Sequence, residues 1–205
     1  MAKPFFEYWL DVNKSDLVLD VGCGEGSKVD YLNKNKLCSA FGVDINKKTL
    51  LSYGFKNVIC ANALNLPFRK NTFDKVICTE VLEHIEDDDA VLENIKCVLK
   101  QNGLLFLSTP RHIQLFDYWD PAWLKWKLIK SSYIHKHYSV KNLIKKLESH
   151  SFRIKKCRVL FSYAWLIVRW INVFLKYVLK SKHQIQYTRM PNGNFDIFIL
   201  AQVKK

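Results

Sequence analysis

The chain predicts an α/β fold, and three observations carry that expectation. Short β-branched or apolar runs alternate with longer amphipathic ones through the first half of the 205 residues, the pattern of βαβ units feeding a parallel sheet. Turn residues punctuate the runs, as at Pro67-Phe68-Arg69-Lys70-Asn71. Hydrophobic residues make up 49% and charged residues 25%, a globular balance that excludes a disordered chain or a glycine-periodic fibre. At this length one core spanning 1–205 is expected.

Leu17 to Val21 is the first strand, a buried run stopped by Gly22-Cys23-Gly24-Glu25-Gly26, and a helix from Ser27 to Asn33 follows. Ala40 to Val43 is the second strand and Lys47 to Tyr53 the second helix; Val58 to Cys60 and Phe73 to Cys78 are the next strands. Asp89 to Lys100 carries Val91, Leu92, Ile95, Val98 and Leu99 at a helical period, with Asn102-Gly103 placed as its C-cap, and Leu104 to Leu107 is strand five. Past Pro110, Ser139 is an N-cap for a helix reaching His150; Phe152 to Leu160 and Phe195 to Val203 read as strands. Trp119 to Ile134 and Ser162 to Arg189 fit no step of the repeat.

The net charge of +13 divides unevenly. Residues 1–110 hold 13 Lys and Arg against 15 Asp and Glu, a net −2, whereas residues 111–205 hold 19 against 4, a net +15. An anionic partner is therefore expected of the second half. Six cysteines (23, 38, 60, 78, 97, 157) lie far apart with no C-x-x-C and no apparent signal peptide, which suggests reduced thiols in a cytoplasmic protein.

A strand ending in Asp20 and running into Gly22-x-Gly24-x-Gly26 ahead of a helix is a nucleotide-loop geometry, because glycines permit a tight turn and close approach of a ligand. The spacing departs from the dinucleotide pattern G-x-G-x-x-G, and no phosphate-cradling G-x-x-x-x-G-K-[ST] is present. The second strand ends at Asp44, where a carboxylate can accept hydrogen bonds from both ribose hydroxyls of a nucleoside.

With these motifs in register the chain resembles the class I S-adenosylmethionine-dependent methyltransferases, the small-molecule group called type 11, over roughly residues 15–110. Val18 to Gly26 looks like the family's first motif, Gly42-Val43-Asp44-Ile45 its second and Ala61 to Phe68 its third; Phe73 to His84 looks like the fourth and Val98 to Leu104 the run into strand five. The resemblance implies a Rossmann-like, mostly parallel seven-stranded sheet with an antiparallel last strand in three α/β/α layers, plus amphipathic insertions at 111–138 and 162–189. It implies S-adenosylmethionine as cofactor and S-adenosylhomocysteine as product. Gly22 and Gly24 backbone groups would hold the methionine end with Asp20 near its ammonium, Asp44 the ribose, and Ile45 and Leu64 the adenine faces. Asn62, where the family usually has Asp, would bond the adenine edge; Cys23, Gly26, Ala63, Thr79 and Glu80 complete the cofactor set.

Glu80, Glu83 and His84 follow strand four at the carboxyl edge of the sheet. One reading makes His84 a general base, with Glu83 beside it. The other takes Glu80-x-x-Glu83-His84, which resembles the metal motif of small-RNA 2′-O-methyltransferases and ubiquinone-pathway O-methyltransferases, with His112 as fourth ligand and His135 and His137 behind. Glu86 to Asp89 reads as a solvated first helical turn rather than a metal cluster. His137 and Tyr138 are substrate-side catalytic candidates, with core packing as the alternative for Tyr138.

Five of the six tryptophans (119, 123, 126, 165, 170) fall in the two segments outside the repeat. A helical reading of the second puts Arg169, Asn172, Lys176 and Lys180 on one narrow face, opposite Ile167, Trp170, Ile171, Phe174, Tyr177 and Val178. Arg169 and Lys176 interrupt the apolar run before the ~20 residues of a span. Such a helix suits an anionic bilayer interface, at the inner face of the membrane; packing on the sheet or on a second subunit is the alternative. The expected activity is methyl transfer to an O or N nucleophile of a small, lipid-like or isoprenoid acceptor. An RNA or tRNA methyltransferase using the basic half as a phosphate track, and a cofactor-binding scaffold without turnover, are the alternatives.

Overall fold

The strands of the computed structural model are β1 (Leu17–Val21), β2 (Ser39–Asp44), β3 (Val58–Cys60), β4 (Phe73–Thr79), β5 (Leu99–Pro110), β6 (Phe152–Leu160) and β7 (Asp196–Val203). The helices are α1 (Ser27–Lys34), α2 (Lys47–Tyr53), α3 (Asp88–Val98) and α4 (Val140–Ser149). The structure describes residues 5–35, 37–54, 56–111, 134–160, 167, 170–172, 174, 175 and 196–204. Trp119 to Tyr133 and His112 lie outside them, as does most of Ser162 to Arg189.

One sheet runs β3-β2-β1-β4-β5-β7-β6. The β1–β2, β1–β4, β2–β3 and β4–β5 pairs are parallel, and β7 lies antiparallel between β5 and β6. The chain order reverses between β1 and β4, so a crevice opens outside their carboxyl ends, where open α/β sheets bind ligands.

Strand alternation builds two cores. On one face Leu19, Val21, Val76, Cys78, Leu105 and Leu107 pack under α3 (Val91, Leu92, Ile95) and α4 (Leu143, Leu147). On the other, Val18, Ala40, Ile77 and Phe106 meet α1 (Val29, Leu32) and Leu50 of α2, with Phe6, Trp9 and Leu10 of the N-terminal segment. This is the three-layer arrangement the sequence implies. Side chains start three helices: Asn46 accepts from Thr49 N at 3.1 Å, Asp87 from Ala90 N at 3.0 Å and Ser139 from Asn142 N at 3.1 Å.

Several boundaries move by a residue, and the junction of α3 with β5 moves further. The third helix ends at Val98, not Lys100, because Leu99 is already extended and pairs with Phe73. Asn102-Gly103 is therefore no C-cap but an irregularity inside β5, where Leu99 to Leu104 faces only Phe73 to Lys75. Asn102 takes φ +62°, and a Cβ on Gly103 would lie 2.9 Å from both Leu99 Cδ2 and the Lys100 carbonyl oxygen.

Candidate functional site

A cavity of about 330 Å³ opens at the crevice, lined by Gly22 after β1, Val43 to Ile45 at the end of β2, Ala61 to Ala63 after β3, and Glu80, Val81, His84 and Ile85 after β4. The glycine loop is held by its neighbours. Gly22 N and Cys23 N both donate to the Val43 carbonyl (2.8 and 3.0 Å), and Gly24 N donates to Asp44 Oδ2 at 2.8 Å. Gly22 sits at φ +72°, and a Cβ there would meet Val81 Cγ2 at 2.2 Å, so both the backbone and the space demand glycine.

Asp44 is the hinge of the site. Its Oδ2 fixes the glycine loop and its Oδ1 accepts from Asn46 N at 2.8 Å, so each oxygen retains acceptor capacity for a ligand. Asn62 Oδ1 accepts from Leu64 N at 3.0 Å, which orients the amide with its NH₂ as the group left for a ligand. Ile45, on the cavity wall, and Leu64 are exposed apolar side chains.

Gly22 N and Gly24 N are bonded to the Val43 carbonyl and Asp44 Oδ2, which leaves the loop's carbonyl oxygens as its remaining backbone groups. Asp20 does not line the cavity; its buried carboxylate takes Lys28 Nζ at 3.2 and 3.4 Å. Burial raises the Asp20 pKa against the lowering effect of Lys28. Cys23 is buried behind the loop, its thiol pushed up to about 12 by burial, and acts by shape and backbone. Gly26 is the left-handed N-cap of α1, and Thr79 closes β4.

Glu80 adopts φ +56°, a strained conformation for a side-chain-bearing residue, and is held there by its N–H to the Ser108 carbonyl and by Ser108 Oγ donating to Oε1 at 2.6 Å. His84 lines the cavity. Its Nδ1 lies 3.1 Å from the Ile134 carbonyl, which can only accept, so Nδ1 carries the hydrogen and Nε2 is the basic nitrogen. Burial holds the His84 pKa below the usual imidazole value. Glu83 sits behind it at 1% exposure, with Oε2 accepting from Thr109 Oγ1 at 3.3 Å and Oε1 3.8 Å from His84 Nε2. Desolvation, reinforced by Glu80, drives its carboxyl well above the ordinary range.

The other candidates do not reach the cavity. The His137 ring stands edge-on to His135 at 5.2 Å, and His135 in turn packs 5.1 Å from His84. Tyr138 is a core residue whose hydroxyl donates to Asp88, so its geometry is that of a structural anchor and not of a substrate-side group. Asp88 corrects the reading of the acidic run as solvated: it is buried, bonded by Tyr138 and by Lys146 Nζ at 3.0 Å. Glu80 and Glu83 each engage a hydroxyl of β5, Glu80 Oε1 accepting from Ser108 Oγ and Glu83 Oε2 from Thr109 Oγ1. Among the described residues no three His, Cys, Asp or Glu side chains are gathered to hold a metal ion, and His112 lies outside them. Val43, Ala61, Val81 and Ile85 line the site beyond the residues that motif roles mark; Val81 was legible as the residue after Glu80 at the strand-four edge.

A family model described as a methyltransferase domain matches residues 19–107. An uncharacterised protein of Methanocaldococcus jannaschii is 43% identical over 97 residues, 46% of this chain and 41% of that protein. The human mitochondrial arginine-hydroxylase NDUFAF5 is 35% identical over 92 residues, 43% of this chain and 27% of that protein. The chain thus spans less than half the length of these curated relatives. Among solved structures, a SAM-dependent methyltransferase from Methanosarcina mazei superposes with TM-score 0.68 at 20% identity, covering 99% of this chain and 98% of that one, a likeness of fold. The [4+2]-cyclase SpnF superposes with TM-score 0.70 at 15% identity, covering 97% and 78%.

Proposed function

We propose that residues 19–107, which match a methyltransferase domain, form a class I S-adenosylmethionine-dependent methyltransferase domain, and that the chain moves a methyl group to an O or N nucleophile of a small lipid-like or isoprenoid acceptor at an anionic membrane surface. The observation that carries the cofactor reading is Asp44, on the cavity wall beside exposed Ile45 and with a lone pair left on each oxygen. Asp44 would take the ribose hydroxyls, and the Asn62 amide would donate to a purine ring nitrogen. Bound there, S-adenosylmethionine supplies a methyl already activated on a sulfonium. What remains for the protein is alignment and removal of a proton. His84 Nε2, fixed in its tautomer by Ile134 and kept neutral by burial, accepts the acceptor's proton.

Support for the membrane half of the reading comes from the second tryptophan-rich segment. Its described residues Ile167, Trp170, Ile171, Asn172, Phe174 and Leu175 are helical, and Ile167, Ile171 and Phe174, at i, i+4 and i+7, are 60%, 39% and 52% exposed. The exposure of these three apolar side chains supports an interfacial role over a core one. No helix among the described residues is long and apolar enough to cross a membrane. Arg153, Lys155 and Arg158, all exposed on the edge strand β6, favour RNA phosphate as a second reading. Relatives of this chain include a sphingolipid C9-methyltransferase of Candida albicans (28% identical) and a tRNA (carboxymethyluridine(34)-5-O)-methyltransferase of Arabidopsis thaliana (29%).

The test incubates the full chain with methyl-labelled S-adenosylmethionine and, in parallel, anionic vesicles carrying total lipid extract or total RNA. Label in the lipid fraction, lost when residues 162–189 are deleted, is expected. Label in RNA alone selects the second reading. No label in either, with S-adenosylhomocysteine still bound, leaves the scaffold reading, or one of the other chemistries borne by the hydroxylase and the cyclase.

A further inference from the structure

We infer that Lys136 is a positioning residue for the reaction: it clasps the segment from Ile134 to Tyr138 over the turn after β4, so that the Ile134 carbonyl keeps the His84 hydrogen on Nδ1 and Nε2 is the nitrogen that accepts a proton. This deepens the reading of His84 as the base given above and rests on it. Lys136 lies outside the cavity wall and acts through His84 rather than on a ligand.

A neutral imidazole has one N–H, and the hydrogen bond made by one ring nitrogen decides what the other can do. At His84 that bond reaches outside its own turn, to the Ile134 carbonyl 3.1 Å from Nδ1 and 50 residues on. Lys136 N donates to the Glu83 carbonyl at 2.9 Å. Two rungs, one through a side chain and one through the backbone, thus join the segment to consecutive residues of the turn. The Lys136 side chain closes the clasp at the far end: Nζ donates to the Glu86 carbonyl at 2.6 Å and lies 3.7 Å from Oδ1 of buried Asp88. One residue therefore grips both ends of the stretch that sets His84 and Ile85 on the cavity wall. His135, 6% exposed, lays its ring 5.1 Å from that of His84, so the segment covers the imidazole as well as bonding it. Beyond it Tyr138 N donates to the Pro110 carbonyl at 3.0 Å and its hydroxyl to the Leu82 carbonyl at 3.3 Å. Removing the Lys136 ammonium takes away a charge-assisted tie two residues from Ile134 and leaves the Tyr138 anchors in place.

Two-bond proton–nitrogen correlation spectra of the full chain labelled with nitrogen-15 in histidine read the tautomer directly, with the His84 signals assigned by their loss in His84→Gln. At a pH where the ring is neutral, the native chain should carry the hydrogen on Nδ1. Lys136→Met should move His84 toward the Nε2–H form. It should also slow label transfer from methyl-labelled S-adenosylmethionine to anionic vesicles of total lipid extract about tenfold, the worth of one charged hydrogen bond, with S-adenosylhomocysteine affinity in calorimetry unchanged. Lys136→Arg, which can still donate to the Glu86 carbonyl, should restore both tautomer and rate. Lys145→Met, which removes an exposed lysine of α4, should change neither. A native His84 with its hydrogen on Nε2, or an unmoved tautomer in Lys136→Met, overturns the inference while the cofactor reading stands. A moved tautomer with an undiminished rate overturns His84 as the base, and with it the part of Lys136 in the reaction.

Discussion

Replacing Gly22 with Ala tests how tightly the glycine loop is built. Two penalties add at this position. A side-chain-bearing residue at φ +72° costs ~1–2 kcal/mol, and a Cβ 2.2 Å from Val81 Cγ2 must displace that methyl in a packed wall, ~1–3 kcal/mol more. Gly22→Ala should therefore lose about 2–5 kcal/mol in urea unfolding. Val81→Ala removes the clashing methyl and leaves its Cβ at 3.5 Å, an ordinary contact. In a double-mutant cycle the packing share of the loss should vanish and the backbone share remain. Gly24 supplies the control: it sits at φ +57°, and a Cβ added there would have nothing within 4 Å, so Gly24→Ala should cost only the backbone share of ~1–2 kcal/mol. Equal losses at Gly22 and Gly24, or no coupling between Gly22 and Val81, would refute the packing argument.

Three further outcomes are expected. His84→Gln should lower kcat for methyl transfer about 10²-fold or more with little change in donor KM, and the native acid limb should fall below pH 6.5 because burial depresses this imidazole. Glu83 has a folded pKa raised above its unfolded value of 4.5, so the stability of its protonated form is present below pH 4.5 and is lost as pH rises through the folded pKa. Thermal melts from about pH 5 to 8 should accordingly show Glu83→Gln gaining on the native chain as pH rises; a constant gap would contradict this. Tyr138→Phe removes the hydroxyl that satisfies buried Asp88 and should cost ~1–3 kcal/mol in unfolding while leaving nucleoside affinity intact, which a loss of affinity without loss of stability would disprove.

Local signals carried much of the fold. The second helix begins and ends where Asn46 and Gly54 place it, because a side-chain cap and a left-handed glycine act within a few residues. Val58–Cys60 and Phe152–Leu160 are likewise strands over the range their apolar patterning marks. Asn102-Gly103 misled because the same turn residues serve a helix end and a strand bulge, and the ladder from Leu99 to Phe73 that decides between them is non-local. The nucleoside end of the site was legible, with Asp44, Ile45, Asn62 and Ala63 all on the cavity wall, since each lies at or just past a strand end. Tertiary pairing hid the rest. Asp88 looks like one of four solvated acids until Tyr138, 50 residues on, buries it, and Lys28 looks like a surface lysine until α1 folds it onto Asp20.

Calorimetric titration of the full chain with S-adenosylhomocysteine, native against Asp44→Ala, probes the claim on which the rest stands. The variant forfeits the acceptor for two ribose hydroxyls and the tether on Gly24 N, so its affinity should drop by about 10² or more, at ~1.5–3 kcal/mol for each charged hydrogen bond. Absence of binding by the native chain, or an Asp44→Ala affinity equal to the native one, would contradict the account.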